Sequence, residues 1–355
     1  MGNLTTFTTD EIEQWMNVLK RMYLYDFYHL PCYHQLAEKH GEGQAVLFYF
    51  QQDDYHIALP LLVRRISEVP GLEKAGDNLF DATSVYGYAG PVASHASLPG
   101  EIIRQFQSEL YNELNSRNII SVFSRLHPFI EQSGILEGLG NIVIEGVTVS
   151  IDLSLDLDTQ RAQYSKGHKS GVNKLRKMGV ECIHDTELKY LPEFLELYYE
   201  TMDRVHANGY YYFPKENFEF LINKLGAKMH LFICLLEGKV ICGGLYAECN
   251  GILQAYLGGM YSEYRNIAPR KLEKDTVRIW ATENNKKIFH LGGGLGGKKD
   301  SLYEFKSGFS KNRHDFTLWK WITNKEMYDE LTLKRKADMT ADAMDDKFFP
   351  AYRIR

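Results

Sequence analysis

The chain is poor in the features that mark several whole classes of protein. Five cysteines (Cys32, Cys182, Cys234, Cys242, Cys249) are scattered over 355 residues, odd in number and without a C-x-x-C pair. This excludes a disulfide framework and a cysteine zinc site, and predicts reduced, mostly buried thiols in a cytoplasmic protein. The 12 histidines include no H-E-x-x-H or similar spacing, so no metal is expected. No window approaches 18 uninterrupted apolar residues, and the opening Met1-Gly-Asn-Leu-Thr-Thr-Phe7 has no apolar signal core. Neither a transmembrane segment nor a secretory leader is read. A formal charge of −5 rules out a globally basic nucleic-acid binder and leaves only local basic patches to argue from. No Ser/His/Asp or Cys/His arrangement stands out, so nothing supports covalent catalysis.

Glycine and aromatic residues are what the chain does have. Tyrosine occurs 23 times and phenylalanine 19 times, enough to line clefts as well as cores. The segment His290-Leu-Gly-Gly-Gly-Leu-Gly-Gly-Lys-Lys-Asp300 packs five of the 29 glycines into six positions, directly after the apolar run Ile288 to Leu291. That run reads as a buried strand ending in a glycine-rich loop. Glycine permits positive φ and close approach of backbone to a ligand, and Lys298, Lys299 and Lys306 suit an anion. The spacing is neither G-x-x-x-x-G-K-S/T nor a G-x-G-x-x-G that opens a helix. The loop is thus either a sharp turn or an anion cradle of another kind.

The order of elements repeats. In the first half, Thr8-Thr-Asp-Glu11 has capping-box spacing before a polar helix to about Arg21, and the runs Ala45 to Phe50 and His56 to Val63 read as a hairpin. Residues 100–117 are helical in spacing, and Ile119 to Phe123 is a strand. In the second half, helices over about 191–204 and 215–225 precede strands at His230 to Leu236, Val240 to Glu248 and Ile252 to Leu257, the last two joined by Asn250-Gly251. Pro269 opens a helix whose shared face is Leu272, Thr276, Ile279 and Trp280. This predicts a mixed α/β protein with domains over 1–150 and 151–330 and a charged C-terminal extension over 331–355. Val147 to Asp152 is either the first strand of the second copy or a bridging strand.

Strand–strand–strand–helix–strand, appearing twice, resembles the GNAT acyltransferase core in duplicate. Tyr86-Gly-Tyr-Ala-Gly-Pro91, Val147 to Leu153 followed by Tyr164-Ser-Lys-Gly-His-Lys-Ser170, Glu200-Thr-Met-x-Arg204, and His290-Leu-Gly-Gly-Gly with Phe305-Lys306-x-Gly-Phe309 are similar to motifs of the Fem-type aminoacyltransferases. The resemblance covers roughly residues 45–325. It implies two tandem GNAT-like domains, here without the coiled-coil arm that some members insert. It also implies amide formation: transfer of an amino acid from aminoacyl-tRNA to an amine of a cell-wall peptide precursor, in a monomeric or weakly associating enzyme with no bound cofactor.

The alternatives weighed with it are an acyl-CoA- or carrier-dependent N-acyltransferase acting on an amino sugar, polysaccharide or small metabolite, and a non-catalytic glycan- or carrier-binding protein. Against CoA stands Arg265-Asn-Ile-Ala-Pro-Arg270, where Pro269 replaces the N–H donors of a pyrophosphate turn.

Through the resemblance, Lys306 places a cation near a phosphate or the developing oxyanion and Phe305 lines the channel with it. Arg204 becomes a substrate-binding arginine or the partner of Glu200. Tyr256 is a hydrogen-bond donor at the reaction centre, while Tyr86 and Tyr88 line an acceptor groove and Gly292, Gly293 and Gly294 form the loop. Lys166, Lys169 and Arg176, with Asn173, fall at helical spacing and present either a phosphate-binding or a solvated face. His206, His290 and Asp300 are the candidate bases.

Overall fold

The computed structural model describes residues 2–75, 78–337 and 348–354. The path separates into two compact units, one of Met1–Glu145 with Phe316–Arg355, the other of Gly146–Asp315. The chain therefore does not simply divide in the middle. Its last strand and tail return to the unit with which it began, so the linear division into 1–150 and 151–330 is not the one the contacts make. Of the expected extension, residues 338–347 lie outside the described residues.

The first unit opens with β1 (Asn3–Thr8), α1 (Ile12–Leu19), α2 (Pro31–Lys39), β2 (Gln44–Gln52), β3 (Tyr55–Arg65), β4 (Phe80–Thr83) and β5 (Val92–Ala93). It continues through α3 (Gly100–Ser116), β6 (Ile119–Arg125) and α4 (Ser133–Leu136). Strand β7 (Asn141–Asp152) leads into the second unit, followed by α5 (Leu157–Ala162), α6 (Lys166–Lys177), β8 (Glu181–His184), α7 (Leu191–Arg204) and α8 (Lys215–Leu225). Then come β9 (Met229–Leu236), β10 (Lys239–Cys249), β11 (Ile252–Met260), α9 (Arg270–Glu283), β12 (Ile288–Gly292) and α10 (Ser301–Ser307). Strand β13 (Asn312–Ile322) and α11 (Lys325–Ala337) lead back.

Each unit repeats one plan. In the first, β1, β2, β3 and β4 are antiparallel neighbours, β6 joins β4 in parallel after the α3 crossover, and β13 closes antiparallel to β6. In the second, β8, β9, β10 and β11 are antiparallel, β12 joins β11 in parallel after α9, and β7 closes antiparallel to β12. The Val147 to Asp152 segment is thus the closing strand of the second sheet and not its first. Helix α3 covers the first sheet with Ile102, Phe106, Leu110 and Leu114, spaced by four, against Phe48, Phe50, Val122 and Trp319. Such burial contributes about 1.5–3 kcal/mol per large apolar side chain.

Two local expectations change. Residues 3–8, expected only as the approach to a helix, form a strand paired with β2, because alternating Leu4, Thr6 and Thr8 suit a sheet edge. The capping box survives only in part: Thr8 N–H donates to Glu11 Oε2 at 3.0 Å, without a return bond from Thr8. In α9 the buried residues are Leu272, Glu273, Lys274, Asp275, Val277, Arg278 and Ala281, a different face from the expected Leu272, Thr276, Ile279 and Trp280.

The first unit also buries two neutral imidazoles. Burial, with the nearby His127, drives His29 down to about 3, and burial drives His34 down to about 4. Each binds its proton in the unfolded chain near 6.5 but not in the fold, so stability is full above that pH and falls as pH drops below it. The expected slope is up to about 2.7 kcal/mol per pH unit for the pair. A urea midpoint that does not move between pH 7 and pH 5.5 would show that these rings are solvated.

Candidate active site

The glycine-rich loop is held from two sides. Asp300, the N-cap of α10, accepts from Tyr303 N–H through Oδ1 and from Leu295 N–H through Oδ2, both at 2.9 Å. Burial raises its carboxyl, but these N–H donors and that of Leu302 outweigh it and leave the group below the ordinary range. Asp300 is therefore a loop anchor and an unsuitable base. Lys306, half-buried on α10, donates to Gly293 O at 2.6 Å. Burial lowers its ammonium to about 8, with Asp300 opposing and Arg270 assisting.

The glycines are required here by space and by conformation. Gly292 has φ of 78°, and a Cβ on Gly293 would stand 2.8 Å from Val147 O. One on Gly294 would collide with Lys298 O and the Asp300 carboxylate.

Beside the loop the sheet opens. Strands β11 and β12 pair only at Ile252–Ile288, Leu253–Phe289 and Gln254–His290 among the described residues, and then run on to Met260 and Gly292 apart. At that level the β10–β11 register skips one residue, passing from Leu245–Leu257 to Tyr246–Ala255. Tyr256 is thus the extra residue of a β-bulge, which re-aims a side chain and bends a strand. It neighbours the buried phenol of Tyr198, which burial first and Tyr256 next push well up. His290 is buried with Nδ1 2.6 Å from Gln254 Oε1.

Beneath the opening, α9 buries a polar cluster that the sequence reading did not single out. Glu273 is fully buried and accepts a short hydrogen bond from Tyr246 Oη, and its other oxygen lies 3.3 Å from Arg270 Nε. Lys274, 4% exposed, donates to the same Tyr246 oxygen at 2.8 Å. Arg270 also donates a short bond to Gly243 O. Gly244 and Gly258 make the room, since a Cβ on the first would collide with Glu273 and one on the second with the Arg270 guanidinium. Charged side chains are almost never fully buried unless paired. The available signal was local: four charged residues in six (Glu273, Lys274, Asp275, Arg278, with Arg270 and Lys271 before them) on a helix whose apolar stripe is thin.

The other expected residues fall into place around this centre or away from it. Phe305 packs against His168 and Phe309, and its carbonyl lies 2.8 Å from His168 Nε2. Arg204 binds Met260 O at 3.0 Å and Ser262 Oγ at 3.1 Å, while Glu200 accepts from Ser262 N–H at 2.7 Å. The two residues clamp one turn at the end of β11 and do not pair with each other. His206 is exposed, just beyond α7.

On α6, Lys166 is exposed, Lys169 donates to Ala162 O at 2.9 Å, and Asn173 accepts from Arg161 at 2.7 Å. Arg176 pairs with the buried Asp275 at 2.7 Å. Most of the supposed phosphate-binding face is thus engaged within the unit. Tyr86 and Tyr88 belong to the first unit, where Tyr33 Oη donates to Tyr86 O at 3.1 Å and Tyr88 packs edge-on to Tyr28 at 5.8 Å.

No known family model matches the chain, and no curated protein matches it. Among solved structures, FemX superposes with a TM-score of 0.70 at 14% identity, over 92% of this chain and 99% of its own. The chain has the Fem-type double-GNAT fold. Two further structures are similar to this chain. L-PGS from Bacillus licheniformis matches with a TM-score of 0.56 at 13% identity over 90% and 93% of the two chains. A conserved protein of unknown function from Bacteroides thetaiotaomicron VPI-5482 matches with 0.58 at 10% identity over 90% and 100%. The Fem-type fold is here armless: among the described residues the longest helix is α3, of 17 residues. No described helix is long and apolar enough to cross a membrane.

Proposed function

We propose that the protein is an acyltransferase that forms an amide bond by direct attack of an acceptor amine on an acyl ester, with aminoacyl-tRNA as donor and the amine of a cell-wall peptide precursor as acceptor. The observation that carries this reading is Lys306, set between the glycine-rich loop and the point where β11 and β12 part. A cation there stabilises the oxyanion of a tetrahedral intermediate, which is where acyl transfer gains most. Positioning of the two reactants supplies the rest. Burial pushes the Cys242 thiol up, which does not suit a nucleophile.

Two features favour an ester donor over acyl-CoA. Ala268 is left-handed (φ 50°) and Pro269 is the N-cap of α9. The N–H groups of Lys271 and Leu272, which a pyrophosphate would need, donate to Ala268 O and Pro269 O at 3.0 Å. The test is mass spectrometry of a synthetic cell-wall peptide bearing a free side-chain amine, incubated with either a charged-tRNA pool or acetyl-CoA. The expected result is an amino-acid mass added only from tRNA. Acetylation from CoA without tRNA dependence would replace the proposed donor.

A further inference from the structure

We propose that Lys274, held by Tyr246, accepts the proton of the attacking amine, leaving Lys306 as the cation of the site. The inference rests on the acyl-transfer reading above and adds the base that reading lacks.

The first ground is where the amine is placed. A buried lysine kept only as a counterion belongs on the carboxylate itself, as Arg270 is. Lys274 Nζ is 3.9 Å from the nearest Glu273 oxygen but 2.8 Å from the Tyr246 hydroxyl. That hydroxyl gives its own proton to Glu273, so its oxygen is free to accept one N–H from Lys274. One bond of the amine is thereby fixed and its lone pair is oriented away from the phenol.

The second ground is location. Nζ stands 4.5 Å from the centre of the Tyr246 ring on β10 and 5.8 Å from that of Phe289 on β12. These rings come from the strands on either side of β11, so the amine lies beneath β11 where its pairing with β12 ends. The third ground is that α9 buries the group at all. An apolar residue of similar length in its place would avoid the desolvation of a charge, so retention of the amine points to use.

The groups facing Nζ set its proton affinity. Burial lowers it first, Glu273 raises it, Arg270 and Lys306 lower it, and Cys242 raises it, leaving the ammonium near 7. Lys306 stays near 8. Position divides the roles of base and cation: Lys274 is held beneath β11 by Tyr246, and Lys306 against the glycine-rich loop by Gly293 O.

The step balances without a co-reactant. The amine nitrogen forms the C–N bond as the carbonyl pair moves to oxygen beside Lys306, and the nitrogen's proton passes to Lys274. Collapse then breaks the C–O bond of the ester, and the departing oxygen leaves as an alcohol with the proton from Lys274, which is neutral again.

The experiment is the pH–rate profile of amide formation, with a charged-tRNA pool and the synthetic peptide, for the wild type, Lys274→Met and Lys274→Arg. The wild type is expected to gain rate through about pH 7. Both variants are expected to lose about 10²- to 10³-fold and that acid limb with it, because neither side chain accepts a proton. Rescue by Lys274→Arg, or an acid limb kept in Lys274→Met, would overturn the inference while leaving acyl transfer intact. No turnover by the wild type from either ester or thioester donors would overturn the acyl-transfer reading and the assignment of Lys274 with it. Should Lys274→Met fail to fold, the 13Cε resonance of Lys274 in the wild type decides: a titration midpoint near 7 supports the role, and one in the ordinary lysine range near 10.4 ends it.

Discussion

Lys306→Met is expected to lower amide formation by about two to three orders of magnitude while the protein remains folded. The magnitude is that of removing one preorganised donor from an oxyanion site. The loop should survive, since Asp300 still binds the N–H groups of Leu295 and Tyr303 and α10 keeps its cap. Lys306→Arg should not restore the rate. A planar guanidinium cannot occupy the place of an ammonium that donates to Gly293 O at 2.6 Å without moving the loop.

The wild-type rate should also fall as pH rises through about 8, where Lys306 loses its charge, and this alkaline limb should be absent in Lys306→Met. A variant within a few-fold of wild type, with the limb retained, would reduce Lys306 to a pin for the loop.

The largest expected loss of stability follows Asp275→Ala. Asp275 is fully buried and is met by Arg161 at 3.1 Å, Arg176 at 2.7 Å and Arg278 at 3.1 Å, and Tyr164 Oη donates to it at 3.0 Å. One carboxylate therefore ties α5, α6 and α9 together. Its removal leaves three guanidinium groups facing one another, a situation that costs about 3–5 kcal/mol. Arg176→Ala should cost only about 0–1 kcal/mol, because its side chain is 46% exposed and water replaces the pair. Urea denaturation of the two variants side by side checks the contrast. A loss below about 1 kcal/mol for Asp275→Ala would mean that the arginines relax to solvent and that the three helices are held by their apolar contacts alone.

Much of this architecture could be read from the chain before any coordinates. The hairpin at Asn250-Gly251, the 3.6 periodicity of α3 and the glycine-rich end of β12 are local signals, and local signals survive in a sequence. What could not be read depends on partners far apart. Cys182, Cys234 and Cys242 seem scattered along the chain but stand directly opposite one another on β8, β9 and β10. All three are free thiols, Cys234 and Cys242 buried and Cys182 partly so.

Glu273 and Lys274 carry no local mark of burial, because the residues that give them a place inside, Gly244 and Tyr246, lie on another strand. Arg204 read as a substrate-binding arginine through the family resemblance, or as the partner of Glu200 at i, i+4, because the turn at Met260–Ser262 that both residues bind is formed by a distant strand end. Residues 3–8 read as the approach to a helix because the strand they pair with begins some 40 residues later.

The return of the chain to its first unit has a consequence for synthesis. Trp319 and Trp321 complete the apolar core around Phe48 and Phe106, and β13 covers the side of β6 from Ser121 to Arg125. Tyr352 and Arg353 reach back to the buried Asp81. At about 5–20 residues per second, roughly 10–40 s separate the emergence of β6 from that of its partner. Throughout that interval β6 presents an unpaired edge, the kind of surface on which nascent chains aggregate. Of the two units, the one of Gly146–Asp315 has all its residues first, and the one of Met1–Glu145 with Phe316–Arg355 is finished after it.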